Sequence, residues 1–204
     1  AFGKLTNSLE EIYKSTDRNF NSIESFFQKI MVDLGFSNQT IKCILIELRQ
    51  LVSIDQLSES SVLSVGELIS SKILSTYFSK LNFHHTLINA PKIIKTNNIG
   101  SSASINLEET IRQKDIYLEN FSHNLTLPIL TQGFIGSFGD NREFAITCLG
   151  REGSDYSAAI FGNIFNAQEV ILFKDVDGVY DADPKKEKNA KLFLELTYAQ
   201  AFKI

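Results

Sequence analysis

The sequence has no tryptophan, one methionine, two cysteines, three prolines and three histidines among 204 residues. Cys43 and Cys148 are too few for a disulfide framework or a cysteine zinc site. His84, His85 and His123 stand apart from any Asp/Ser or Cys constellation, which removes the usual nucleophile–base arrangements. No stretch approaches the roughly 18–20 apolar residues of a membrane span. The start, Ala1-Phe2-Gly3-Lys4, has neither a basic n-region nor an apolar h-region, so no signal peptide is read there. Positive charge is not in excess either. With 20 Lys+Arg against 24 Asp+Glu the formal net charge is −4, which argues against a general nucleic-acid binder. H-E-x-x-H, Walker A and G-x-G-x-x-G are all missing, so the metalloprotease, P-loop and dinucleotide readings lose their main support.

What is present is globular: 43% hydrophobic and 22% charged residues, in a length suited to one domain. A cytoplasmic protein is expected. Phe20, Ile23, Phe26, Phe27, Ile30, Met31 and Leu34 recur at helical spacing, and Gly35 supplies a stop. A second stripe runs from Ile41 to Val52, begun near Ser37 or Asn38, and a third from Leu68 to Leu81. From residue 84 the period changes. Thr86 to Asn89 reads as a short strand, Glu108 to Phe121 as a helix, and Leu125 to Ile135 as an apolar strand interrupted by Pro128. Residues 142–149 alternate like a strand, Ser154 to Asn166 reads as a helix, and Glu169 to Val176 as a continuous apolar strand. Thr197 caps a final helix, and the polar segment Lys95 to Asn106 reads as a flexible loop. Strands alternating with helices imply an α/β fold with a mostly parallel, helix-covered sheet.

Two segments carry chemistry. Gly150-Arg151-Glu152-Gly153-Ser154-Asp155 leaves a strand, turns on two glycines and enters a helix. Such a turn offers unpaired N–H groups to an anion, and Arg151 adds a planar, permanently charged fork. A helix capped by Ser154, with Asp155 opposing the dipole, would explain those two residues but not Arg151. The second segment, Lys174 to Lys185, follows an apolar strand and holds several acids, a glycine turn and Tyr180. Ligands of open α/β sheets gather at the carboxyl ends of strands, where both segments fall.

Leu149 to Ala159 (LGREGSDYSAA), followed by Asp175 to Tyr180 and Asp183-Pro184, resembles the aspartokinases of the amino acid kinase family. Thr131 to Gly136 (TQGFIG) is similar to that family's strand before the glycine turn. Ser64-Val65-Gly66-Glu67 is similar to its S-x-G-E helix start, and Ala1 to Asn7 to its S-A-x-G-x-T-[ND] loop. The departures are an absent K-F-G-G-[TS] opening, an absent G-A-x-V lysine motif and absent ACT domains. Glu152, Lys174 and Lys185 also replace commoner residues. The resemblance implies a three-layer α/β/α catalytic domain over 1–204, with an aspartate-binding part roughly 1–130 and a nucleotide-binding part roughly 131–204. It also implies ATP-dependent phosphorylation of L-aspartate on its side-chain carboxylate, the first step of lysine, threonine and methionine biosynthesis. Carried over by position, Arg151, Ser154, Glu67 and Thr6 bind aspartate, and Asp155 is the catalytic residue retained. Lys174, Asp175, Tyr180 and Lys185 line the ATP site. Mg2+ rides on the ATP phosphates, with no protein ligand named. The catalytic lysines are expected outside this chain, which alone is expected to be nearly inactive. A homo-oligomeric full-length parent is expected, with no nucleic-acid or membrane partner. The alternatives are a nucleotide-binding fragment without turnover and a family member acting on another carboxylate.

Overall fold

A computed structural model describes residues 5–53, 57–119, 127–140, 144–201 and 203. By contact density the chain divides into two compact units, Ala1–Gln168 and Glu169–Ile204, described separately here.

The larger unit opens with four helices: α1 (Leu5–Lys14), α2 (Asn21–Asp33), α3 (Asn38–Val52) and α4 (Glu59–Lys80). Their apolar stripes meet in one core, where Leu9, Phe27, Met31, Leu48, Val62 and Ile73 are fully buried. Gly35 follows α2 at φ 66°, a left-handed conformation that costs glycine little, and ends the helix. Ser37 and Ser58 cap α3 and α4, each accepting an N–H from three residues on. Helix α4 is the spine. It packs against α1, α3 and a later strand, and Ser60, Ser64, Gly66 and Ser71 along it are small and buried.

Beyond α4 come β1 (Thr86–Leu87), α5 (Ala90–Ile93), α6 (Leu107–Glu119), β2 (Ile129–Leu130), β3 (Ile135–Gly139), β4 (Phe144–Cys148) and α7 (Gly153–Ile164). Strands β1 and β2 run parallel, pairing Thr86 with Ile129 and Leu87 with Leu130. Strands β3 and β4 are antiparallel, from Ile135↔Cys148 to Gly139↔Phe144. The expected strand at 142–149 is therefore present over Phe144–Cys148, while its first two residues lie outside those described.

Two expectations are corrected. Lys95 to Asn106 is no loose loop: Lys95 pairs with Ser137 beside β3, Thr96 with Ile105, and Ser102 with Leu149 beyond β4. Lys95, Thr96 and Ala103 are buried, so long-range pairing overrides the polar local sequence. In the smaller unit, residues 169–176 form no strand. Val170, Ile171, Leu172 and Phe173 are exposed, Phe173 at 93%. An apolar run lacking a hydrogen-bonded neighbour has nothing to hold it in a ladder. Among its described residues the smaller unit instead carries the bridge Tyr180↔Leu192 and α8 (Tyr198–Ala201), whose Gln200 N–H donates to the Thr197 hydroxyl at 3.3 Å.

Candidate active site

Helix α7 begins two residues earlier than the Ser154 cap predicts. Glu152 occupies the N-cap position at φ 55° without a side-chain capping bond, so Ser154 and Asp155 fall inside the first turn. The turn is closed by Gly153 N–H donating to Gly150 O at 3.1 Å. A helix N-terminus of this kind presents the positive end of the helix dipole beside Arg151. Arg151 and Ser154 are exposed beside it, and Asp155 is half-buried.

The chain after β2 is stitched to this turn. Phe134 N–H donates to the Ser157 hydroxyl at 2.8 Å, and that hydroxyl donates to Gly153 O at 2.7 Å. Leu149 N–H donates to Phe134 O at 2.8 Å. A Cβ placed on Gly133 would lie 3.2 Å from Ser154 Cα. Phe134 itself sits at φ 69°, a conformation costing a bulky L-residue about 1–2 kcal/mol, held by these bonds on both sides.

The same chain borders Glu67. A cavity of about 250 Å³ at the carboxyl end of β2 is lined by Glu67, Ser70, Ser71 and Leu74 of α4, and by Leu130, Thr131 and Gln132. Gln132 is buried; its Oε1 accepts Ala90 N–H at 2.9 Å and its Nε2 donates to Ser71 Oγ at 2.8 Å. Residues 131–134 thus link the Glu67 cavity to the Arg151 turn, so both are built on one support. Thr6 lies in the first turn of α1, half-buried, on a helix that packs against α4.

Sequence reasoning missed four of the supporting residues. Gln132 and Phe134 stood within a recognised motif but were not singled out. Ser157 reads as an ordinary helix serine. Lys95 lay in the supposed loop, yet it is 2% exposed and its Nζ donates to Ser137 Oγ at 3.0 Å, 5.3 Å from the Phe144 ring centroid. Burial holds its pKa below the ordinary lysine value, against the pull of Glu109 and Asp140. From Lys95 the segment runs to Ser102, whose Oγ would lie 3.1 Å from a Cβ on Gly150. A signal existed: a lysine inside the run Ile93-Ile94-Lys95 before a polar turn. His85 is structural, its Nε2 bonded to Ser75 Oγ at 2.8 Å.

In the smaller unit, Lys185 Nζ donates to Asp175 Oδ2 at 2.5 Å, joining two of the expected nucleotide residues. That bond holds the Asp175 carboxyl below the ordinary range and the Lys185 ammonium above its own. Both are exposed, as is Lys174; Tyr180 is half-buried. Among the described residues no group of three or more His, Cys, Asp or Glu is arranged to hold a metal. Among the described residues no helix is long and apolar enough to cross a membrane.

Comparison with known proteins agrees with this architecture. The chain is 31% identical over 209 residues to an aspartokinase of Chlamydia pneumoniae, covering 98% of this chain and 45% of that protein. It is 28% identical over 196 residues to a bifunctional aspartokinase/homoserine dehydrogenase of Buchnera aphidicola, covering 96% of this chain and 21% of the relative. The chain therefore spans less than half the length of these relatives. Its fold matches E. coli aspartokinase III in complex with aspartate and ADP, with a TM-score of 0.79 and 25% identity over 95% of this chain and 45% of that one. The lysine and aspartate complex of the same enzyme matches with a TM-score of 0.72 over 92% of this chain. The amino acid kinase family model matches residues 1–203, and the chain, an α/β protein like its matched structures, belongs to the amino acid kinase family.

Proposed function

We propose that the protein to which this chain belongs transfers the γ-phosphoryl group of ATP to the side-chain carboxylate of L-aspartate, giving 4-phospho-L-aspartate. The observation that carries this reading is the joining of the Glu67-lined cavity to the Arg151 turn at the start of α7 through residues 131–134. A free amino acid has both an ammonium and a carboxylate to be recognised. Glu67 takes the α-ammonium, and Arg151 takes the α-carboxylate with a bidentate fork, helped by Ser154. Thr6 adds a hydrogen bond from α1. Asp155 orients the reacting end and is the catalytic residue within this chain.

No general base is required, because a side-chain carboxylate with a pKa near 4 is ionised at neutral pH. The chemistry asks instead for alignment of two anions and for positive charge where the phosphoryl moves. Lys174, Asp175, Tyr180 and Lys185 serve the nucleotide. Mg2+ enters as MgATP, its ligands chiefly phosphate oxygens, as is usual for that ion. The product is an acyl phosphate, suited to the first step of lysine, threonine and methionine biosynthesis, and the setting is a cytoplasmic homo-oligomer.

The test is steady-state kinetics on the full-length protein with an ADP-release assay. Arg151→Ala and Glu67→Ala should each raise the aspartate KM or lower kcat/KM for aspartate at least tenfold, with the ATP KM nearly unchanged. Normal aspartate kinetics in Arg151→Ala would refute the assignment.

A further inference from the structure

Helix α4 is rich in hydroxyl residues, and most of those in its interior bond back to the preceding turn. Ser64 donates to Ser61 O at 2.8 Å, Ser71 to Leu68 O at 3.0 Å, Thr76 to Lys72 O at 2.8 Å and Ser79 to Ser75 O at 3.1 Å. Ser70 departs from them. Its Oγ is buried and has no hydrogen-bond partner, although a helical serine can ordinarily bond a carbonyl one turn back. Leaving a buried hydroxyl unpaired is unfavourable, so a native structure that does so calls for an explanation.

The position of Ser70 supplies one. It lines the same cavity as Glu67 and stands three residues after it, on the same face of α4. The other buried atom without a partner among the described residues, Asn89 Oδ1, does not belong to a residue lining that cavity. An ammonium carries three N–H donors and a hydroxyl oxygen offers two acceptor lone pairs. A carboxylate and a hydroxyl one helical turn apart therefore form a two-point receptor for a primary ammonium, with the remaining N–H left to Thr131 or water.

We propose that the Ser70 hydroxyl is a substrate contact. Together with Glu67 it receives the α-ammonium of the bound amino acid, and so discriminates an α-amino acid from the corresponding dicarboxylate that lacks the amino group. This rests on the reading that the Glu67 cavity holds aspartate.

The experiment is calorimetric titration of the full-length protein and its Ser70→Ala variant with L-aspartate and, separately, with succinate. Losing one hydrogen bond to a charged group predicts a roughly tenfold weaker aspartate Kd in Ser70→Ala. Succinate binding should change less than twofold, and the melting temperature of the ligand-free variant should be equal or higher, because the unpaired hydroxyl is gone. An unchanged aspartate Kd, or equal losses for both ligands, overturns the Ser70 assignment while leaving the aspartate reading intact. If the unmutated protein binds no aspartate, the functional reading falls and this assignment with it. Ser70→Cys, which keeps the volume with a much weaker hydrogen-bonding group, gives the same contrast should Ser70→Ala fail to fold.

Discussion

Phe134 lies so close over Gly153 that a Cβ at that glycine would stand 2.7 Å from Cδ2 of the Phe134 ring. The ring belongs to the chain after β2, and the glycine opens α7. Of Gly133, Gly150 and Gly153, which lie in the support shared by the Glu67 cavity and the Arg151 turn, Gly153 leaves the least room for a side chain.

Gly153→Ala should therefore push Phe134 aside rather than simply add a methyl group. Overpacking of this kind costs about 1–3 kcal/mol. A fall in melting temperature is expected, together with a raised aspartate KM and a smaller change for ATP. Thermal denaturation and kinetics on the same sample measure both.

Ser157→Ala removes the one hydroxyl that both accepts from Phe134 N–H and donates to Gly153 O. A backbone donor is then left unpaired in a partly buried place, at about 1–3 kcal/mol. Chemical denaturation should show a lower midpoint with an unchanged slope. A Ser157→Thr variant, which keeps the hydroxyl, should recover most of the loss.

Lys95 gives a pH dependence of a definite sign. Its folded pKa is lowered by burial, so between that value and the ordinary 10.5 the unfolded chain binds more protons. The cost of burying the ammonium is present in full below the folded pKa and fades as pH rises toward 10.5. The stability of the protein relative to Lys95→Met should accordingly improve from pH 7 to pH 10. A flat difference across that range would contradict the burial of a charged ammonium at this site.

The two thiols should separate cleanly. Cys43 is exposed on α3, whereas Cys148 is buried at the end of β4, its pKa pushed up to about 12 by burial. Thiolate is the reactive form, so Cys148 is shielded twice, by access and by ionisation. A thiol reagent at pH 8 should modify one cysteine in the native protein and both in denaturant, with peptide mapping assigning the fast site to Cys43.

Much of the fold was legible in the sequence, for reasons visible in particular elements. The stripes in α2, α3 and α4 are repeated signals, and Ser37 and Thr197 cap helices as their residue types predict. Phe144 to Cys148 alternates in sequence and is a strand, although its burial rises toward its end, where Thr147 and Cys148 are both buried, rather than alternating. The failures share one cause. Val170 to Phe173 has the composition of a strand, but a strand also needs a partner, which composition cannot supply. Lys95 to Asn106 has the composition of a loop, yet Ser137 and Leu149, some 40 residues away along the chain, give it partners. The site residues came from motif order. Their supports, Gln132, Ser157 and Lys95, act through bonds to distant backbone that no local pattern announces.

Gln132 has a use as a clock. The first amides of a helix normally exchange with solvent freely, since nothing within the helix accepts them. Ala90, at the start of α5, is fully buried and gives its N–H to the Gln132 side chain. Its proton can leave only when that amide swings away, which also frees Ser71 and loosens the wall beside Glu67. The exchange rate at Ala90 thus times how often the cavity breathes, and a ligand that settles there should slow it without touching Ala90.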